Sequence, residues 1–277
     1  MSQKINSLRD IAANYDAIVL DQWGVLHDGS MPYRFAVDTL IGLHAKGTRL
    51  AVLSNSGKRS APNAARIANI GFPTEIFSTV MTSGEALWQD LSKGLIPARR
   101  FFAIERSSGD AQAWANGLDI KFCDLSDAEA VLLMGLPDQS TLETWKPLLL
   151  EMLQKNLTIY CSNPDRQSPR PEGLVVSPGA LGFAYADLGG HVRFYGKPHR
   201  LVFQALEHQL GSNQLLMVGD SLEHDIAGAQ GSGWDSVLVR GGLYADDFQR
   251  GPHDETLARL VTDKGCNRPT YSIELLQ

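Results

Sequence analysis

Asp220 and Asp225 lie five residues apart in Gly219-Asp220-Ser221-Leu222-Glu223-His224-Asp225-Ile226, directly after the apolar run Leu215-Leu216-Met217-Val218. A buried strand followed by a helix puts Asp220 at the strand end and Asp225 in the first helical turn. Two acids facing one cleft repel each other unless a cation lies between them. A few hard oxygen donors suit Mg²⁺, which keeps its remaining waters and substrate oxygens. An ordinary strand–helix turn with two capping acids would be spelled the same way. A third carboxylate, Asp21, follows the strand-like run Ala17-Ile18-Val19-Leu20, with Gly24 three residues on. In open α/β sheets the C-terminal strand ends carry the chemistry, although an aspartate can simply end a strand.

Two further polar stretches follow apolar runs. Ser54-Asn55-Ser56-Gly57-Lys58-Arg59-Ser60 comes after Leu50-Ala51-Val52-Leu53. Hydroxyls, an amide and a glycine at a strand end make an anion cradle, because free backbone N–H groups face outward there. The same residues are favoured helix N-caps, and both roles can hold together. Gly196-Lys197-Pro198 follows the strand-like residues 192–195, and Cys161-Ser162-Asn163-Pro164-Asp165-Arg166 follows residues 157–160.

The elements that must position these groups alternate between strand and helix character, the pattern of an α/β protein with a mainly parallel sheet. Strands are expected at 17–20, 50–53, 77–80, 101–104, 130–133, 157–160, 192–195, 215–218 and 236–239. Helices are expected at 35–45, 61–70, 86–91, 111–116, 142–154, 180–188 and 201–210. Residues 95–99 read as a linker. The expected architecture is a Rossmann-like doubly wound parallel sheet, residues 1–85 and 182–277, carrying an inserted smaller α/β domain, residues 86–181. The helix at 180–188 is expected to return the chain to the first domain. The C-terminal residues 269–277 carry no recognisable chemistry.

The bulk of the chain fits this. Its 277 residues are enough for one large domain or two small ones. Hydrophobic residues make up 43% and charged residues 20%, ordinary for a globular protein. A net charge of −6 argues against a general nucleic-acid or anionic-membrane surface. Cys123, Cys161 and Cys266 are far apart with no CxxC spacing, which fits reduced thiols in a cytoplasmic protein. The first sixteen residues are polar, without a signal-like apolar core, and no apolar run approaches the roughly 20 residues of a membrane span.

Taken in order, DQWGVLHDG (from Asp21), VLSNS (to Ser56), SNPD (to Asp165), GKP (around Lys197) and VGDSLEHDI (to Ile226) resemble the haloacid dehalogenase superfamily. The position and size of the insert are similar to its class IIA branch, which contains nitrophenyl-phosphatases and nucleotide- or sugar-phosphate phosphatases. The resemblance implies a Mg²⁺-dependent phosphatase of small phosphorylated metabolites. Asp21 would attack phosphorus and form an aspartyl-phosphate, Ser54 would hydrogen-bond the phosphoryl group with Asn55 beside it, and Lys197 would neutralise charge and orient Asp21. Asp220 and Asp225 would hold Mg²⁺ with a carboxylate oxygen of Asp21 and the backbone carbonyl of Trp23. The insert would be a cap that selects substrate, with Asn163 and Asp165 as candidate substrate contacts. The resemblance also admits a homodimer.

One position departs from the pattern. Phosphatases of this family usually carry a second aspartate two residues after the nucleophile, as general acid and base. Here that residue is Trp23, which can do neither. Such a group is worth about 10²–10⁴ in rate, so turnover of poor leaving groups should suffer most. His27, Asp28 and His224 are candidate replacements, although a turn aspartate and exposed histidines would account for them as well. Trp23 could stack on a substrate, with packing of its loop the plainer role. The competing functions are a ligand-binding or regulatory protein with little turnover, and a phosphotransferase.

Overall fold

The computed structural model describes residues 2–170 and 173–277. The chain opens with β1 (Gln3–Lys4), β2 (Ala17–Leu20), α1 (Ala36–Ala45), β3 (Leu50–Ser54), α2 (Ser60–Ile70), β4 (Phe77–Thr82) and α3 (Ser83–Ser92). It continues through β5 (Arg100–Ile104), α4 (Asp110–Trp114), β6 (Lys121–Phe122), β7 (Ala130–Leu133), α5 (Leu142–Gln154) and β8 (Thr158–Cys161). Next come β9 (Gln167–Arg170), β10 (Gly173–Val176), α6 (Pro178–Asp187) and β11 (Val192–Phe194). The last part holds α7 (Arg200–Leu210), β12 (Leu215–Gly219), α8 (Ala227–Gly231), β13 (Asp235–Val239), α9 (Ala245–Arg250), α10 (His253–Asp263) and β14 (Tyr271–Ile273). A π-helical turn, Leu222–Ile226, leads from β12 into α8.

The contacts divide the chain into two compact units. The first comprises the chain up to Ser54, then Ala61–Met81 and Lys197–Gln277; the second comprises Asn55–Ser60 and Thr82–Gly196.

In the first unit a seven-stranded sheet runs in the order β1-β14-β13-β12-β2-β3-β4. β2 pairs in parallel with β12 and β3, and β13 in parallel with β12 and β14. Strands covered on both faces need apolar residues at every position, and β2, Ala-Ile-Val-Leu, is buried throughout. Ile18, Leu20, Val52, Val218 and Val237 pack with Leu40 and Leu43 of α1 and Ile67 of α2. The register sets Leu20 opposite both Val218 and Val52. Asp21, Asp220 and Ser54 therefore leave their strands along one edge of the sheet, the C-terminal edge.

In the second unit a five-stranded sheet runs β11-β8-β7-β5-β6, parallel at each pairing. β9 and β10 form an antiparallel hairpin. Val131, Leu133, Met152, Ile159, Leu181 and Tyr185 fill the core of this unit.

The α/β class and parallel sheet follow the sequence expectation; the division of the chain differs in detail. The expected return helix, α6, belongs to the second unit. Its Leu181 and Tyr185 are fully buried there, and Tyr185 Oη donates to the Leu157 carbonyl at 2.7 Å. β11 pairs with β8, so the second unit runs on to Gly196. Residues 95–99 join α3 to β5 inside this unit, with Ile96 fully buried, and mark no boundary. β14, which pairs with β13 and with β1, was too short in sequence to read as a strand. No helix among the described residues is long and apolar enough to cross a membrane.

Candidate active site

Asp21 stands one residue past β2, its N–H donating to the Val218 carbonyl at 2.9 Å. The chain then winds tightly, with the N–H groups of Leu26 and His27 both donating to the Gln22 carbonyl, at 2.8 and 3.2 Å. Gln22 is buried, and its Nε2 donates to Asn63 Oδ1 on α2. This bond ties the loop after Asp21 to the helix after β3.

Lys197 lies at the centre of the polar cluster and is almost completely buried. Its Nζ donates to Asp21 Oδ1 at 2.5 Å and to Asp225 Oδ1 at 2.7 Å. The other oxygen of Asp225 accepts from the Ser221 N–H at 3.1 Å, so the π-helical turn sets its orientation. Asp220 Oδ2 accepts from the Leu243 N–H at 2.8 Å. Asp21, Asp220 and Asp225 each place a carboxylate oxygen within 4.8 Å of the others. Lys197 reaches this cluster from a loop: the strand before it, β11, belongs to the other sheet, so Lys197 does not end a strand of the core sheet as its spelling suggests.

The electrostatics of the cluster are those of crowded anions. Burial pushes the Asp21 carboxyl up to about 7, against the pull of Lys197. Burial, with the charges of Asp21 and Asp225, pushes Asp220 up to about 8. Burial works against the charge of Lys197, but its two carboxylates outweigh it and hold the ammonium above the usual lysine range. One ammonium does not balance three carboxylates, and a divalent cation is the remaining way to keep all three ionised at neutral pH. Oxygen donors fit Mg²⁺, and Asp220 Oδ1 accepts no hydrogen bond among the described residues. The residues present therefore fit the metal that the resemblance implies.

Two glycines close the backbone around Asp220. Gly24 has φ +74°, and a Cβ there would fall 1.6 Å from Asp220 Oδ2. A Cβ on Gly242 would fall 2.5 Å from the same atom. Sequence reasoning takes Gly24 only as a residue near Asp21 and passes over Gly242. Neither carries a signal without knowing which carboxylate lies against it.

Two of the three candidate acid–base residues, Asp28 and His27, are engaged elsewhere. Asp28 Oδ1 accepts from the N–H groups of Ser30 and Met31, at 2.9 and 2.8 Å, as a turn aspartate does. These bonds hold its carboxyl below the usual range. His27 is fully buried, its Nδ1 accepts from the Gly29 N–H at 3.0 Å, and burial holds its pKa down to about 4. His224 is half-buried in the π-helical turn, where its backbone N–H donates to Ser221 Oγ and its ring makes no hydrogen bond with a described residue.

The structure brings Asp21, Lys197, Asp220 and Asp225 together in the first unit, with Ser54 at the end of β3 in the same unit. Asn55, Asn163 and Asp165 fall in the second. There Asn55 Nδ2 donates to Asp165 Oδ1 at 2.7 Å, and Asn163 Oδ1 accepts from the Asp165 N–H at 3.0 Å.

Known proteins share this fold and parts of this sequence. The haloacid dehalogenase-like hydrolase family model matches residues 18–117, and a HAD-hydrolase-like model matches 194–263. A solved hydrolase of the haloacid dehalogenase-like family from Brucella suis 1330 is 29% identical, with a TM-score of 0.80, over 99% of this chain and all of that one. Chronophin of Mus musculus is 25% identical over 86% of this chain and 85% of its own. The D-glycerol 3-phosphate phosphatase of Mycobacterium tuberculosis is 26% identical over 85% of this chain and 66% of its own. The chain belongs to the haloacid dehalogenase-like hydrolases.

Proposed function

We propose that this protein is a Mg²⁺-dependent phosphatase of small phosphorylated metabolites, working through an aspartyl-phosphate on Asp21. The observation that carries the reading is the buried Lys197 ammonium bridging Asp21 and Asp225, with Asp220 alongside. The named phosphatases among the relatives support the same class of reaction.

Phosphoryl transfer needs positioning and positive charge around the equatorial oxygens more than covalent help. Asp21 attacks phosphorus, and the bond from phosphorus to the leaving oxygen breaks. That oxygen takes its proton from water, because Trp23 offers none. Water then attacks phosphorus of the aspartyl-phosphate, the bond to Asp21 breaks, and inorganic phosphate leaves with the carboxylate restored. Lys197 orients Asp21 and offsets charge on the transferring group. The Ser54 hydroxyl, with Asn55 next to it, holds a phosphoryl oxygen, and Asn163 and Asp165 are proposed as further substrate contacts. Asp21, Asp220, Asp225 and the Trp23 carbonyl would hold Mg²⁺, which supplies positive charge to the phosphoryl oxygens when bound.

The second reading, a binding or regulatory protein with little turnover, is favoured by Trp23 alone. A panel of phosphate esters with Mg²⁺, comparing the wild type with Asp21→Asn, decides between them. Phosphate release that depends on Asp21 is expected; equal release by both proteins refutes the mechanism. A metabolite that raises the melting temperature strongly without being hydrolysed supports the second reading.

A further inference from the structure

Gln22 anchors the loop after Asp21 through its buried bond to Asn63, while the Trp23 ring packs on the loop's own His27 and Gly29. Gln22, Val25, Leu26 and His27 around it are all buried, yet Trp23 is 42% exposed. Exposed as it is, the indole is fixed on several sides. The His27 ring meets it edge to face, with centroids 5.6 Å apart. Gly29, at φ +107°, lies so close that a Cβ there would fall 2.2 Å from the ring. The Arg66 guanidinium is 5.5 Å from the indole centroid. Arg66 stands three residues after Asn63 on α2, so the helix turn that anchors Gln22 also aims Arg66 at Trp23. Arg66 is exposed and makes no hydrogen bond or ion pair with a described residue.

This held aromatic plane, with an exposed guanidinium 5.5 Å from its centroid, stands two residues along the chain from Asp21. Planar groups stack on indole, and a guanidinium takes a carboxylate or similar anion in a forked pair. We propose that Trp23 and Arg66 form the leaving-group subsite, and that the substrate's leaving group is a planar aryl or heteroaryl unit bearing an anionic substituent. The proposal rests on the phosphatase reading and names its substrate class. It also fits the missing acid, since a conjugated leaving group holds negative charge without a proton.

The test uses acyl phosphates, so that the ring is separated from leaving-group acidity. Acetyl phosphate and benzoyl phosphate both release carboxylates of similar acidity, so the absent acid affects them alike. Benzoyl phosphate carrying a 4-carboxylate adds the anion. The wild type with Mg²⁺ is expected to favour benzoyl over acetyl phosphate by about tenfold in kcat/KM, through KM. The 4-carboxylate should add a further several-fold. Trp23→Met, which keeps apolar bulk but no ring, should abolish the preference for benzoyl phosphate. Arg66→Gln, an exposed position that does not threaten folding, should abolish only the gain from the 4-carboxylate, and Arg66→Lys should keep part of it. If acetyl and benzoyl phosphate are hydrolysed equally well, both dependent on Asp21, the subsite is refuted and the phosphatase reading stands. Retention of both preferences in Trp23→Met and Arg66→Gln refutes it in the same way. If neither compound is hydrolysed faster by the wild type than by Asp21→Asn, both the subsite and the phosphatase reading fall.

Discussion

On the proposed mechanism Trp23, which carries no acid or base two residues after Asp21, shapes the expected kinetics more than any other single position. Without a proton donor at the leaving oxygen, kcat/KM, which reports the first step, should fall steeply as the leaving group becomes more basic. A series of aryl phosphates of graded acidity checks this. Trp23→Asp should flatten the dependence and speed the poorest leaving groups by about 10²–10⁴. A wild-type series that is already flat would mean that another group delivers the proton. Two of the three candidates are otherwise engaged, Asp28 in its own turn and His27 buried with its pKa held down, which leaves His224. Asp21→Asn should lower phosphate release by at least about 10³-fold, because the amide cannot act as the nucleophile.

At the level of elements, the loop after β2 carries two constraints that do not depend on substrate. Gly24→Ala places a Cβ against Asp220 at a backbone angle that costs a non-glycine residue about 1–2 kcal/mol. Asp220 must then move, so the variant is expected to lose any stabilisation by Mg²⁺, read as the shift in melting temperature on adding the metal. An unchanged shift would show that Asp220 keeps its place. Asn63→Ala leaves the buried amide of Gln22 without its acceptor and should cost about 1–3 kcal/mol in denaturant unfolding. Much of this was legible in the sequence. β2, β3 and β12 announce themselves as unbroken apolar runs because both their faces are covered. Asp21, Ser54 and Asp220 then follow as the first polar residues past those runs. Lys197 was found by its spelling and misplaced by it, since β11 before it belongs to the other sheet. Gly242 and Asn63 were invisible, because their value lies in what they touch across the fold.

For the molecule as a whole, the separate sheet order of the second unit explains why its end was misjudged. α6 and β11 look like any helix and strand, and only the burial of Tyr185 and the pairing with β8 show which core they complete. Crowded carboxylates also make stability depend on pH and metal together. Asp220 is held up to about 8, so the folded chain without metal keeps a proton that the unfolded chain releases near 4. Its contribution to stability is full below the unfolded value and is lost as pH rises through about 8. Mg²⁺ favours the ionised carboxylates, so its stabilising effect should be larger at pH 8.5 than at pH 6. Melting temperatures with and without Mg²⁺ at the two pH values check this, and equal shifts would contradict it. The most direct test of the central claim, a nucleophilic Asp21 working without a partner acid or base, is rapid-mixing of the enzyme with 4-nitrophenyl phosphate and Mg²⁺. Nitrophenolate leaves without a proton, whereas water attack on the aspartyl-phosphate lacks its base, so the second step should limit turnover. A burst of nitrophenolate stoichiometric with enzyme, followed by slow release and absent in Asp21→Asn, is predicted. Linear release from the first turnover, equal in the wild type and Asp21→Asn, would contradict it.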